Sequence, residues 1–241
     1  MGDLEGVDAV ILAGGLGTRI RGVLGDLPKV LAPVNRRPFL DHLLDQLAAL
    51  GVGRAILALG VGADRVLAHL AGRPLPLPVV SVVESAPLGT AGALRLAIAA
   101  GTTDPLLVLN GDTWLEADFA AFLAAHRAAA RLGSLLCVGV EDVARYGRID
   151  TAPDGTVARF VEKDPDHRDP GLIHGGALLL SRAGLGALAG ACGPSLERDF
   201  LARLPPGSLL AHAAAGARFI DIGTPDSLAR AGTVLPGETT P

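Results

Sequence analysis

The run Val10-Ile11-Leu12-Ala13-Gly14-Gly15-Leu16-Gly17-Thr18-Arg19 decides how the rest of the chain is read. Its apolar start is what a strand buried on both faces requires, since neither face meets water. The strand then opens into a turn with three glycines in four residues. Without Cβ atoms, backbone N–H groups there can approach a ligand closely and adopt positive φ, and successive exposed N–H groups form an anion-binding hollow. Arg19 adds a planar fork suited to phosphate oxygens. The two standard nucleotide loops fit poorly. No Lys follows Gly17 as a P-loop needs, and Ile20 stands where a dinucleotide loop needs its third Gly. Taken alone, the stretch is equally an ordinary glycine-rich turn between strand and helix.

The 241 residues suffice for one full α/β domain, expected over 1–235 with a disordered tail at 236–241. A formal charge of −4 argues against a nucleic-acid backbone or an anionic membrane as partner. Two cysteines with neither metal spacing nor a disulfide framework point to the reducing cytoplasm. No apolar run reaches the length of a membrane span. Of 21 basic residues only two are lysine, Lys29 and Lys163. In a chain so rich in Ala, Gly and Arg, surviving lysines mark places where a compact ammonium is wanted rather than a broad guanidinium. Chance survival of two surface lysines is the plain alternative.

Downstream, Pro28 and Pro33 bracket Lys29 and predict an extended arm carrying one ammonium beside the loop. Apolar spacing predicts helices over 38–50 and 63–71, and apolar runs predict strands over 55–59 and 79–83. Another small-residue turn follows in Glu84-Ser85-Ala86-Pro87-Leu88-Gly89-Thr90, with Thr90 the expected N-cap of the next helix. Ligands of open α/β sheets lie beyond the carboxyl ends of the strands, so this turn and the first loop should share a crevice. Glu84 accepts hydrogen bonds only, which suits adjacent donors on a purine edge and equally suits a cap on a strand edge.

The strand 106–109 ends in Asn110-Gly111-Asp112, a carboxylate placed to hold a hard cation beside phosphates. A helix is expected over 116–131, a strand over 134–140, and a hairpin from Tyr146-Gly147 through Ala152–Gly155. The returning strand delivers Glu162-Lys163, a carboxylate and an ammonium that suit a phosphorylated sugar; the alternative is an exposed ion pair. The strand 172–180 contains Gly175-Gly176, read as permitting close approach of a ligand. Ser195 is the N-cap of a helix start, with Arg198 at the position where a capping box wants Glu or Gln. Asp221 stands between Ile220 and Ile222; on a strand it points away from both, toward the crevice, as a second metal ligand would.

These stretches, in this order over residues 8 to about 232, resemble the sugar-1-phosphate nucleotidylyltransferase family. Carrying the resemblance are Gly14–Arg19, Pro28-Lys29, Pro87–Gly92, Asn110-Gly111-Asp112, Glu162-Lys163 and Asp221-Ile222-Gly223. Asp26–Lys29 and Phe219–Gly223 look most like the branch that transfers guanylyl to manno-heptose 1-phosphate. The N-acetylmuramate-1-phosphate uridylyl and mannose-1-phosphate guanylyl branches are alternatives. The resemblance implies a Rossmann-like three-layer αβα sandwich around a mostly parallel sheet. It also implies transfer of a nucleotidyl group from an NTP, GTP favoured, to a sugar 1-phosphate with Mg²⁺, by a monomer or homodimer. By the same resemblance Arg19, Lys29, Asp112, Lys163 and Asp221 are catalytic, and Asp112 and Asp221 hold the metal. Leu12, Ala13, Gly14, Gly15, Gly17, Thr18, Arg19, Glu84, Leu88, Gly89, Thr90 and Asp112 take the nucleotide. Asn110, Tyr146, Gly147, Glu162, Lys163 and Gly175 take the sugar phosphate. A catalytically silent regulatory subunit and a glycosyltransferase are the readings of other classes; the presence of all four of Lys29, Asp112, Lys163 and Asp221 favours the enzyme.

Overall fold

The computed structural model describes residues 2–15, 17, 19–161, 166 and 168–236. Seven strands form the central sheet: β1 (Asp8–Leu12), β2 (Arg54–Leu59), β3 (Val79–Val83), β4 (Leu106–Asn110), β5 (Gly133–Val140), β6 (Gly171–Leu180) and β7 (Leu209–Ala213). Their spatial order is β7-β5-β6-β4-β1-β2-β3, and all neighbours are parallel except β6, which runs against both β4 and β5. Alternation along the strands feeds two cores. Ala9 and Ile11 of β1 face one side, where helices α1 (Phe39–Ala49), α2 (Ala63–Ala71), α4 (Phe119–Ala129) and α6 (Pro225–Val234) pack. Val10 faces the other, covered by α3 (Gly89–Ile98), α5 (Arg182–Gly190) and the turn Leu196–Phe200. The expected three-layer αβα architecture with its mostly parallel sheet is what the chain adopts.

Three local expectations are corrected. The prolines around Lys29 do impose extended backbone at Pro28 and Ala32, but between them Lys29–Leu31 coil into one 3₁₀ turn, so Lys29 sits on a bend and not on an arm. The helix expected from residue 116, α4, starts only at Phe119, because residues 113–116 are a strand. They pair antiparallel with Arg218–Asp221, and α4 is capped by the Asp118 carboxylate accepting from Ala121 N–H at 2.8 Å. Thr90 does not cap α3. Leu88 precedes the helix without a side-chain bond, and Thr90 Oγ1 instead accepts from Leu196 N–H at 2.8 Å.

Because β6 is antiparallel, its beginning lies at the same edge as the carboxyl ends of β1, β2, β4 and β5. The sheet edge therefore collects the loop after β1, the Asp112 turn, the segment 141–148 and residues 171–176. A register shift between His174 and Ala177, spanning the two glycines, bends β6 there.

Candidate active site

The turn after β1 is held by its neighbours. Ala13 N–H donates to Ala58 O and Gly111 N–H to Leu12 O, both at 2.9 Å. Gly14 crosses Gly60 so closely that a Cβ on Gly60 would lie 2.9 Å from Gly14 O and 3.1 Å from its Cα. Glycine at 14 and 60 thus serves a crossing of two backbones, and Gly60 was not foreseen from the sequence. Gly17 has φ +57°, a conformation that glycine adopts without strain. Gly15 and Gly17 line a recess of about 440 Å³ together with Pro28 and Lys29. Leu16 and Thr18 lie outside the described residues.

Lys29 donates from Nζ to Asp112 Oδ2 at 2.6 Å, its side chain only 14% exposed and that of Asp112 34%. Thr113 Oγ1 reaches Asp112 Oδ1 at 3.3 Å. The two-stranded ribbon then fixes the second carboxylate beside the first: Asp221 pairs with Thr113, and Ile222 N–H donates to Asp112 O at 2.8 Å. Ile220 and Ile222 are buried, so the alternation turns Asp221 to the cleft as the sequence pattern predicts. Asp221 Oδ1 accepts from Gly223 N–H at 2.8 Å and Oδ2 from the Tyr146 hydroxyl at 3.0 Å, with Arg145 3.7 Å away. A Cβ on Gly223 would meet Lys29 Nζ at 3.3 Å and Arg19 Nη2 at 3.6 Å, so lysine, arginine and carboxylate converge around that glycine.

Burial, then the adjacent Asp221 charge, pushes the Tyr146 phenol up to about 12, which keeps it protonated as a donor to that carboxylate. Its ring stacks edge-on against Phe219, and the Arg145 guanidinium lies 5.4 Å from its centroid.

A cleft of about 500 Å³ gathers Arg19, Asn110, Asp112, Tyr146, Gly147 and Asp221 from these elements. Four of its lining residues, Arg145, His174, Glu197 and Arg198, were missed as site residues. Apart from Arg198 at the third position of its turn, their sequence contexts are unremarkable, and only the fold brings positions so far apart to one wall. His174 bridges two elements: Nδ1 is 3.1 Å from Glu197 Oε1 and Nε2 is 3.3 Å from Ala177 O. Arg148, also in the wall, is engaged by Asp150 at 2.7 Å. The hydrogen bonds from Arg148 and Arg159 hold that carboxyl below its usual range.

Other expected contacts are differently employed. Glu84 Oε2 accepts from Leu88 N–H at 3.0 Å and Oε1 faces the Gly14 and Gly60 backbones, which is the strand-edge cap of the two readings. Gly89, at φ +70°, leaves room for protein: an added Cβ would fall on Pro194 O, which accepts from Ala91 N–H at 2.9 Å. Gly175 is likewise filled from the protein side, by Val138 and Leu136, and Gly176, at φ +83°, by Thr113. The side-chain positions of the paired glycines are thus taken up by neighbouring strands. Glu162 and Lys163 lie outside the described residues.

Among the described residues there is no group of three or more His, Cys, Asp or Glu side chains able to enclose a metal ion. Asp112 and Asp221 lie in one cleft, and two carboxylates completed by water and substrate phosphates are a common shell for a hard cation. The residues present fit Mg²⁺ on those terms. Neither cysteine is paired: Cys137 is buried, its thiol pushed up to about 12 by that burial, and Cys192 is exposed.

A glycine turn, two carboxylates and converging cations at the carboxyl edge of a parallel sheet define an α/β enzyme that handles phosphate groups. The chain belongs to the nucleotidyl transferase family, whose profile matches residues 8–235. It is 30% identical over 225 residues to D-glycero-alpha-D-manno-heptose 1-phosphate guanylyltransferase of Aneurinibacillus thermoaerophilus, covering 93% of this chain and 96% of that one. It is 33% identical to mannose-1-phosphate guanylyltransferase of Mycobacterium tuberculosis, over 93% of this chain and 63% of that protein. The crystal structure of HddC from Yersinia pseudotuberculosis complexed with GMP-PN superposes with a TM-score of 0.81 at 34% identity. That match covers 94% of this chain and 98% of HddC.

Proposed function

We propose that this chain transfers the guanylyl group of GTP to D-glycero-α-D-manno-heptose 1-phosphate, releasing pyrophosphate. The observation that carries the reading is the convergence of Lys29, Asp112, Asp221 and Arg19 around Gly223, together with similarity over 93% of the chain to a heptose 1-phosphate guanylyltransferase. In the reaction an oxygen of the sugar phosphate attacks the α-phosphorus. The bond from that phosphorus to the bridging oxygen breaks, and pyrophosphate leaves with the electron pair. The attacking oxygen is already ionised, so no side chain has to act as base or nucleophile. The protein's work is positioning and neutralisation of charge.

In this reading the backbone of Gly14, Gly15, Gly17 and Thr18, following Leu12 and Ala13, and the guanidinium of Arg19 take the β- and γ-phosphates. Lys29 orients Asp112 and lends its charge to the triphosphate. Asp112 and Asp221 would hold Mg²⁺, which supplies charge neutralisation at the phosphates when bound. Tyr146 keeps Asp221 in place. Lys163 takes the sugar phosphate while Asn110, Gly147, Glu162 and Gly175 border the sugar. Leu88, Gly89 and Thr90 border the base, and Glu84 recognises it, by a rearrangement of its bond to Leu88 N–H. The same reading puts the enzyme with its nucleotide in the cytoplasm.

Mannose 1-phosphate as acceptor is the second reading, favoured by the mycobacterial relative. Pyrophosphate release, measured with Mg²⁺ and four NTPs against manno-heptose, mannose and N-acetylmuramate 1-phosphates, separates them. Turnover with GTP and the heptose phosphate is the expected result. Preference for mannose 1-phosphate replaces the acceptor, UTP with the muramate sinks the guanylyl assignment, and silence with nucleotide binding intact sinks the enzyme.

A further inference from the structure

The cleft contains more positive charge than its own carboxylates use. Asp112 is met by Lys29, Asp221 by Tyr146, Gly223 N–H and Arg145, and Glu197 by His174. Arg148 is engaged by Asp150. Two guanidinium groups in the wall remain without a side-chain partner among the described residues, Arg19 and Arg198. Arg19 belongs to the glycine loop. Arg198 comes from a different element, and its placement runs against local helix chemistry. It occupies the third position of the turn Leu196–Phe200, where the Ser195 hydroxyl accepts its N–H and a carboxylate or amide side chain is the favoured occupant. A cation at the start of a helical turn faces the positive end of the peptide dipoles.

The turn that presents it is held firmly. Leu196 and Phe200 are buried in the core under α3, Leu196 N–H donates to Thr90 Oγ1 at 2.8 Å, and Ser195 N–H donates to Asp199 Oδ2 at 2.8 Å. The side chains that go inward fix the direction of the one that goes out. Around Arg198 in the wall stand His174, Glu197, Tyr146 and Gly147, whereas Gly15, Gly17 and Lys29 line the separate recess beside the loop.

We propose that Arg198 binds the phosphate of the sugar 1-phosphate, as the acceptor-side counterpart of Arg19 on the nucleotide. The planar fork can take two oxygens of that phosphate and fix which one faces the α-phosphorus. This rests on the nucleotidyl-transfer reading above, and it makes Arg198 a determinant of acceptor affinity in addition to Lys163.

The test is steady-state kinetics of Arg198→Met and Arg198→Lys with the sugar 1-phosphate that the unaltered protein turns over. Losing a charge-assisted contact should raise the KM for that sugar phosphate about tenfold to a hundredfold. The KM for the NTP should stay within about twofold, and Lys should recover a part of the loss. Because Arg198 is exposed, the melting temperature should not move; if the Met variant does not fold, Arg198→Gln reads the same split. A rise in the NTP KM instead, or an unchanged KM for the sugar phosphate, overturns the proposal. A silent unaltered protein that still binds nucleotide overturns the underlying function and is recognisable before any variant is made.

Discussion

Asp41 and Asp112 are both aspartates drawn close to a cation, and they are treated in opposite ways. Asp41, on α1, has a side chain only 4% exposed and receives Arg73 on both oxygens at 2.6 Å, with His69 at 2.7 Å on one of them. Three short contacts take most of its acceptor positions. Asp112 is 34% exposed, has one short contact to Lys29 on Oδ2 and one long contact to Thr113 on Oδ1, and opens on the cleft. A largely satisfied carboxylate ties α1 to α2 and its following loop. A half-satisfied one keeps capacity for a ligand, and the protein spends stability to hold it ready.

The largest effect that would sharpen this contrast is on turnover. Asp112→Asn should lower the rate of pyrophosphate release about a thousandfold, in the range seen for loss of a charge-stabilising group, with only a small change in melting temperature. If activity survives, Asp112 is not the ligand-holding member of the pair. Asp41→Ala should do the reverse. Removing the shared partner of Arg73 and His69, which are 28% and 23% exposed, should cost about 1–3 kcal/mol and lower the melting temperature by several degrees, while kcat of the folded fraction stays put. Calorimetry and kinetics on the same preparation separate the two outcomes.

Lys29→Arg keeps the charge but crowds a guanidinium into the space beside Gly223, 3.3 Å from Nζ at its Cβ direction. Turnover should fall about a hundredfold, and near-normal rates would show that charge alone suffices there. Tyr146→Phe removes one neutral donor from Asp221, and a loss of about threefold to tenfold in kcat is expected, with full activity arguing that Gly223 N–H holds the carboxylate unaided.

The smallest effect lies away from the site. His126 is buried against the Ser134 hydroxyl, and desolvation lowers its pKa below the ordinary value of 6.5. The unfolded chain therefore takes up the proton first as pH falls, and stability should decline from about pH 6.5 downward until the folded form also protonates. Melting curves between pH 8 and pH 5 should show that slope, reduced in His126→Gln; an unchanged slope assigns it to other groups.

Much of this was legible in the sequence because it follows from local pattern. The helix at 63–71 and the strand at 79–83 begin and end where apolar spacing and flanking turns say. Asp221 faces the cleft because its two isoleucine neighbours must face the core. The errors have non-local causes. Glu116 reads as the first residue of the following helix, but it ends a strand whose backbone is claimed by Arg218–Asp221, far along the chain. Thr90 looks like a cap until Leu196 N–H claims its hydroxyl. The missing side chains of Gly89 and Gly175 leave room for Pro194 and for Val138 and Leu136, partners that only the fold supplies. Arg145, His174 and Glu197 had no sequence signal because the pairings that give them meaning join separate elements; Arg198 stands out only as a cation where a capping box wants Glu or Gln. Glycine records that something comes close and not what it is.

The bend in β6 at His174–Ala177 carries a consequence for descent. The phosphate loop, Lys29 and Asp112 all come from the first half of the chain, and the hairpin, β6 and the 195–198 wall come from the second. On the proposed function the first half supplies nucleotide contacts and the second acceptor contacts, so an exchange of acceptor has to preserve the joints between them: Ile222 N–H on Asp112 O, Asp221 beside Thr113, and β6 paired with β4. A hybrid gene joined between Asp112 and β5 should keep its nucleotide and adopt the sugar of whichever parent supplied the later half.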